Sequence, residues 1–532
     1  MPTDQATLVQ SLRNPAVFGL EAGQVTLIET HISYVLLTGA YAYKIKKAVD
    51  LEFLDFTTLD ARRHYCEEEL RLNRQTAPSV YLDVVPITGT AEAPVIGGDG
   101  PALEYAVRMR QFCQDALLSD MLARGALTKA HIDALAATVA SFHDGTQKAA
   151  DDLPYGYPDD ILQPARQNFE QLAEVTEDAR DRSDLESLRA WTESEHHTCA
   201  PRFLERRQAG FVRECHGDLH LGNIALIDDR VTLFDRIEFN PSMRWIDVMN
   251  DVAFVVMDLQ ERRRPELAAR FLTAYLEATG DYQGLDVLRF YLVYRSMVRA
   301  KVARLRVGQL ASAEEREKLS AEYRAYLDLA RRDSRRSGAA ILIMHGLAGS
   351  GKTTCAQALL EKIGAVRIRT DLERKRLHGL GLAEGSDSPI EQGLYTADAT
   401  RQTYTHVLDL ARRGAASGFI IVVDGAFLKR WQRERFREAA EVLGLPFVIV
   451  AATATEATLR DRVSRRQRGG DASEATIAVL EHQLHTQQAL AAEEQPFVAM
   501  CDTGTSSAEQ CAQTVSRTLE KRAEGFAGSA AR

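Results

Sequence analysis

Short runs in which apolar and polar residues alternate open the chain, and that period of two predicts strands. Residues 25–30 and 33–38 are the first two, and Ala42-Tyr43-Lys44-Ile45-Lys46 follows a turn at Gly39. The period lengthens from Leu59 to Asn73, where Leu59, Tyr65, Leu70 and Leu72 are apolar points among Arg and Glu, predicting a helix. Residues 104–112 alternate again as a strand. From about 115 to 210 the spacing is mostly helical, broken by a loop at Pro154, Gly156 and Pro158. Another helix is expected from Arg244 through Leu259. Residues 311–337 read as a charged helix ending in Arg331-Arg332-Asp333-Ser334-Arg335-Arg336, and a junction of this kind predicts a domain boundary. Beyond it the pattern changes to unbroken apolar runs at 339–344, 366–369, 419–423, 446–450 and 497–500, separated by helical segments. Such runs predict strands buried on both faces of a parallel, doubly wound sheet.

Composition narrows the class. At 532 residues the chain is too long for one ordinary core. Hydrophobic content of 45% and charged content of 26% are those of a globular protein. A formal net charge of −10 disfavours a general nucleic-acid or anionic-membrane surface. The seven cysteines contain no C-x-x-C pair, so neither a disulfide framework nor a zinc cluster is expected. No apolar run reaches the length of a membrane span, the start lacks the features of a signal peptide, and a cytoplasmic enzyme is expected.

Two stretches carry chemistry. Gly346-Leu347-Ala348-Gly349-Ser350-Gly351-Lys352-Thr353 is a complete G-x-x-x-x-G-K-T loop between a predicted strand and a predicted helix. Amides of Gly346, Gly349, Ser350, Gly351, Thr353 and Thr354 are placed to face phosphate oxygens, Lys352 reaches the β- and γ-phosphates, and Thr353 binds magnesium. The other stretch is His216-Gly217-Asp218-Leu219-His220-Leu221-Gly222-Asn223, followed by Asp235. It sets a carboxylate, an amide and a second carboxylate close together. Asp218 would accept the proton of an attacking hydroxyl, while Asn223 and Asp235 supply hard oxygen ligands for magnesium. The step from Asp218 to Asn223 matches the catalytic-loop spacing of kinases.

Residues 216–223 and Leu233-Phe234-Asp235-Arg236-Ile237-Glu238-Phe239-Asn240 resemble the catalytic loop and metal-binding segment of the aminoglycoside phosphotransferase branch of the protein-kinase-like fold. With the P-loop, the chain resembles bacterial proteins that fuse such a domain to a C-terminal P-loop ATP-binding domain. The resemblance implies an α+β kinase-like domain at about 1–330, with a small lobe to about 110 and a helical lobe at about 111–330. An α/β P-loop NTPase domain with a parallel sheet follows at 338–532. Lys44 would then grip the α- and β-phosphates, with Lys46 on the same face as its competitor. One of Glu67, Glu68 and Glu69 would fix that lysine, the resemblance favouring Glu69. Met109 lies on the strand expected over adenine. No G-x-G-x-x-G loop precedes Lys44, so the phosphate lid must differ from that of protein kinases. An aspartate near residue 247 buttresses the catalytic loop in the related family, making Asp247 a candidate. Arg295 and Arg299 share a helix face and could meet an anionic substrate.

Thr370-Asp371-Leu372-Glu373-Arg374 resembles the D-x-x-R segment of P-loop kinases such as polynucleotide kinase, gluconate kinase and zeta toxins. This implies Asp371 as base and Arg374 as a substrate ligand, with Asp424 the metal-side carboxylate. Arg460, Arg462, Arg465, Arg466 and Arg468 resemble the arginines of a mobile lid, Arg462 and Arg466 being marked as substrate contacts. ATP and Mg2+ are the expected cofactors, and a hydroxylated small molecule is the expected acceptor. Alternatives are a regulatory first domain beside an ATPase switch, or a P-loop domain that phosphorylates nucleic-acid ends.

Overall fold

The computed structural model describes residues 3–19, 25–51, 54–307, 312–335, 338–381, 394, 396–469 and 476–530. The chain packs as two compact units. One comprises Met1–Ala134, Ser141–Ile161 and Phe203–Val255; the other comprises Leu135–Ala140, Leu162–Arg202 and Val256–Arg532.

The first unit is built on an antiparallel sheet of β1 (Thr26–Glu29), β2 (Ser33–Leu37), β3 (Tyr41–Lys46), β4 (Tyr81–Gly89), β5 (Pro94–Ile96) and β6 (Glu104–Arg110). The strand order is β1-β2-β3-β6-β4-β5. Alternation along β3 decides what each face holds. Tyr43 and Ile45 join a core with Leu8, Leu36 and Ile87, while Lys44 and Lys46 point the other way, to helix α1 (Leu59–Asn73). Thr58 caps α1 by accepting the Ala61 N–H.

Further on, β7 (Ile224–Ile227) and β8 (Arg230–Leu233) form a hairpin. Its two turn residues, Asp228 and Asp229, have φ of 49° and 58°, the left-handed pair that suits the twist of the strands. Where the sequence predicts helix from Arg244, the chain instead forms a short strand at Trp245–Asp247, paired with Val212–Glu214. Helix α2 (Val248–Glu261) begins only after it. The β-ribbon satisfies backbone groups that an earlier helix start would have satisfied internally.

The second unit holds helices α3 (Pro265–Thr279), α4 (Leu285–Val307) and α5 (Ala313–Asp333), with α4 packed along α5. It also holds a five-stranded sheet of β9 (Ala340–His345), β10 (Val366–Arg369), β11 (Ile420–Asp424), β12 (Phe447–Thr453) and β13 (Val498–Asp502). The order is β10-β11-β9-β12-β13, and every pairing is parallel, as the apolar runs predict. Helices α6 (Lys352–Ile363), α7 (Thr370–Leu377) and α8 (Glu456–Gly469) are among its connections, and α9 (Ala508–Ala530) follows the last strand. Among the described residues no helix is long and apolar enough to cross a membrane.

Helix α3 covers the edge strand β10. The Arg367 N–H donates to Thr273 Oγ1 at 3.5 Å, and the Tyr282 hydroxyl donates to the Arg367 carbonyl at 3.3 Å. The Arg367 guanidinium makes a two-pronged contact with Glu277, at 2.7 and 3.2 Å. Arg376 of α7 donates to the Glu277 carbonyl at 2.7 Å. Gly280, at φ 75°, ends α3 against that arginine, where a Cβ would come within 2.6 Å of Arg376 Nε. Ala269 of α3 lies in the same apolar core as Leu342, Val422 and Val450 of the sheet.

Candidate active sites

In the first unit, α1 and β3 build a buried ion cluster. Lys44 Nζ lies 2.8 Å from Glu69 Oε1 and 2.5 Å from Asp235 Oδ1. Lys46 pairs with the other oxygen of Glu69 and with Glu238. The two lysines that the sequence could not separate therefore share one carboxylate. Only Lys44 touches Asp235; Lys46 is wholly buried and faces inward. Of the three adjacent glutamates, Glu67 pairs with Arg63 on the surface and Glu68 with Arg71 and Arg244, leaving Glu69 at the cluster. Burial pushes the Glu69 carboxyl up, but Lys44 and Lys46 outweigh it and hold the group well below its ordinary value. Burial likewise pushes Lys44 down, and Asp235 and Glu69 more than reverse it.

The 216–223 loop joins this segment where the Phe234 N–H donates to the Asn223 carbonyl at 3.1 Å; Asp235, next along, follows β8 at φ 62° and donates its N–H to the Tyr81 hydroxyl at 3.2 Å. Asn223 Nδ2 donates to both the carbonyl and Oδ2 of Asp218, each at 3.0 Å. The Asp218 and Asp235 side chains are 39% and 38% exposed, whereas Lys46, Glu69 and Glu238 are buried. An incoming molecule can thus reach the two aspartates but not Lys46, Glu69 or Glu238, which lie behind Lys44. Met109 sits on β6 opposite Ala42 and Tyr81, half-buried.

What fixes the loop is Asp251, which sequence reasoning missed. Its carboxylate accepts the His216 N–H at 2.7 Å and the Gly217 N–H at 2.9 Å. Asp247, the residue the resemblance suggested, instead forms a two-pronged pair with Arg206 at 2.7 and 2.9 Å and accepts the Met249 N–H. The signal for Asp251 was its place one helical turn beyond Asp247. Gly217 needs its glycine: φ is 86°, and a Cβ would lie 2.7 Å from the Met243 carbonyl. His216 donates from Nε2 to the Phe234 carbonyl and accepts the Asp218 N–H at Nδ1. Burial pushes this imidazole down to about 4, so it is neutral at pH 7. Arg236, buried within the segment after β8, donates to the carbonyls of Leu72 and Glu214 and sits 4.8 Å from the Phe142 ring centre.

In the second unit, Gly346-to-Gly351 lies between β9 and α6. Gly346 has φ 149°, and a Cβ there would be 2.3 Å from the Ala452 carbonyl. At Gly349 (φ 79°) it would be 2.8 Å from the Leu459 carbonyl, and Gly351 (φ 80°) caps α6. No other residue type fits so close an approach of loop and sheet. Lys352 donates to the Leu347 carbonyl at 2.7 Å, folding over the loop, and Thr353 follows it in the first turn of α6. Asp424 ends β11, and Asp371 lies in the first turn of α7, just past the paired end of β10. Thr370 Oγ1 ties them by donating to the Asp424 carbonyl at 3.2 Å.

The arginines divide. Arg374 is buried and donates to the Leu394 carbonyl at 2.9 Å. Arg462 clasps the P-loop, donating to the Gly349 carbonyl at 3.3 Å and to Thr503 Oγ1 at 2.9 Å. It borders a cavity of about 380 Å³ with Gly351, Thr354, Arg465 and Thr503. Arg460 pairs with Glu456 and Glu481. The side chains of Arg466 and Arg468, and residues 470–475, lie outside the described residues. Arg299 meets Glu322 and the Tyr326 hydroxyl of α5, and Arg295 is buried on the same helix.

Residues 95–291 match the family model described as "Phosphotransferase enzyme family", and residues 341–490 match the model described as "AAA domain". The chain therefore carries a phosphotransferase-family domain of the protein-kinase-like fold followed by a P-loop kinase-like domain, and both are of kinase and phosphotransferase kind. It is 29% identical to uncharacterized proteins of Mycobacterium tuberculosis and Mycobacterium bovis over 453 residues, 85% of this chain and 88% of theirs. Among solved structures it is similar to a gluconokinase from Sinorhizobium meliloti, at 23% identity, 36% of this chain, 98% of that one and a TM-score of 0.27. It is also similar to a choline/ethanolamine kinase family protein from Mesorhizobium loti, at 12% identity, 62% of this chain, 100% of that one and a TM-score of 0.36.

Proposed function

We propose that the chain is a cytoplasmic phosphotransferase with two ATP sites, each moving the γ-phosphoryl group to a hydroxyl of a small molecule. The chemical domains are about 1–330 and 338–532. The observation that carries this reading is the linkage of Lys44, Glu69 and Asp235 beside the Asp218–Asn223 pair. Lys44 holds phosphate oxygens, Asp218 takes the acceptor proton, and Met109 lies along the nucleotide base. Asn223 donates its amide nitrogen to Asp218, and its oxygen with the carboxylate of Asp235 would supply hard ligands to a cation. Those donors fit Mg2+, which would neutralise charge on the phosphates when bound.

In the P-loop site Lys352 and the amides of residues 349–354 hold phosphates, Thr353 and Asp424 supply oxygen ligands, and Asp371 serves as base. In this reading the cavity beside Arg462 receives the nucleotide base, and Arg462 serves the nucleotide rather than the acceptor; its hydrogen bond to the Gly349 carbonyl and its place in the cavity lining support this. The test is Mg2+-dependent ATP turnover with a panel of hydroxylated acceptors. Asp218→Ala should lower one acceptor-dependent activity about 10²–10⁴-fold, and Lys352→Ala should remove a different one. Activity of Asp218→Ala within a few-fold of wild type would overturn its role as base.

A further inference from the structure

Three cysteines that are far apart in sequence meet behind the P-loop. Cys355 lies in the first turn of α6, Cys501 on β13 and Cys511 near the start of α9. Their sulfurs all lie within 4.8 Å of one another, and the residues are only 1–2% exposed. Three thiolate-type ligands at about 2.3 Å from one cation stand roughly 4 Å apart, so small side-chain shifts suffice to close the set. Cys355 also lines the 380 Å³ cavity together with Thr354, Thr503 and Ser506.

A second cluster, His143, Cys215 and Asp251, has comparable spacing. There both Asp251 oxygens already accept the catalytic-loop amides, so that cluster is committed to structure. Among the described residues the three thiols make their hydrogen-bond contacts with one another, and the Cys501 thiol also makes a long contact, 3.9 Å, to the Cys511 carbonyl.

We propose that Cys355, Cys501 and Cys511 form a binding site for a thiophilic divalent cation of the Zn2+ or Cd2+ class, with Cys355 bordering the cavity beside the P-loop. Soft sulfur selects such ions over Mg2+. On binding, three S–H bonds break, their protons leave to solvent, and three metal–sulfur bonds form from the thiolate electron pairs. Three thiolates and one divalent cation leave a net charge of −1 at the site. Nothing is oxidised or reduced. Contact with Cys355 and burial push the Cys501 thiol up, and burial pushes Cys511 up to about 11, so the cation must displace protons rather than meet thiolates already formed. Because Cys355 shares the first turn of α6 with Lys352 and Thr353, a bound cation pins the P-loop helix to β13 and α9.

The test is titration of the full chain with Cd2+ in metal-free buffer, read by the ultraviolet sulfur-to-cadmium charge-transfer band and by bound metal per chain. One Cd2+ per chain is expected, unaffected by Cys113→Ala at the exposed thiol and by excess Mg2+. Cys511→Ala should weaken binding at least about 10–100-fold, and Cys501→Ala/Cys511→Ala should remove the band. Absence of the band in wild type, or its persistence in the double variant, would overturn the proposal. If the double variant fails to fold, alkylation decides: reaction of Cys355, Cys501 and Cys511 in wild type should be slowed by Cd2+, and equal reaction with and without the ion overturns the site. The outcome is independent of which reaction the chain catalyses.

Discussion

The two candidate sites hold their lysines in opposite ways. Lys44 is locked among side chains from β3, α1 and the segment after β8, residues nearly 200 positions apart. Lys352 rests on a carbonyl five residues away, in a loop whose shape is set by its own glycines. The first site is therefore part of what folds its unit. The second is a local backbone device that a finished sheet carries at its strand ends. A residue essential to the first should also be costly to remove; one essential to the second need not be.

That contrast can be broken most sharply at Glu69. Glu69→Gln leaves Lys44 and Lys46 short of a buried counter-charge and should destabilise the first unit by about 3–5 kcal/mol, measured by denaturant unfolding. Wild-type stability in this variant would mean that the cluster is not structural. Next in size is a pH effect. The folded pKa of His216 is about 4, below the ordinary value of 6.5, so its contribution is full above about 6.5 and is lost as pH falls through 4. The loss approaches roughly 3 kcal/mol, and His216→Gln should remove that share of the slope between pH 6.5 and 4. An unchanged difference between wild type and variant across this range would show that His216 does not titrate in the fold.

Smaller again is Glu277→Gln, which removes the charged partner of Arg367 at the covered sheet edge. About 1.5–3 kcal/mol is expected, and joint reversal to Glu277→Arg with Arg367→Glu should recover part of it. Failure of the single change to alter the unfolding midpoint would sever α3 from the stability of the sheet. Lys352→Ala marks the other end of the scale: a shift within about 0.5 kcal/mol while nucleotide binding at that site is lost. A large fall in stability would place Lys352 with Lys44 as a folding residue.

The same contrast explains what the sequence made legible. The P-loop and the parallel sheet could be read because their determinants are contiguous: glycines at fixed offsets and strands apolar on both faces. The glutamate beside Lys44 could not be singled out by pattern, since Glu67, Glu68 and Glu69 are equivalent until α1 turns one of them inward. Asp251 lies in the first turn of α2, a helix whose start moved past Asp247 when Trp245–Asp247 formed a strand instead. The meeting of Cys355, Cys501 and Cys511 has no sequence signature, because it exists only once α6, β13 and α9 pack together. The arginines show the limit from the other side. A basic helix face looks the same whether it serves a ligand, as proposed for Arg462, or a neighbouring helix, as at Arg299.

The helix over β10 has a consequence for the order of events on the ribosome. An uncovered strand edge offers its backbone to any other extended chain, and parallel sheets assemble slowly enough for that to matter. Here Thr273 and Tyr282, which occupy both outward backbone groups of Arg367, are synthesised about ninety residues before it. The cover exists before the edge emerges. A fragment starting at β9 would be born without it, and should be recovered mainly as aggregate where the full chain is not.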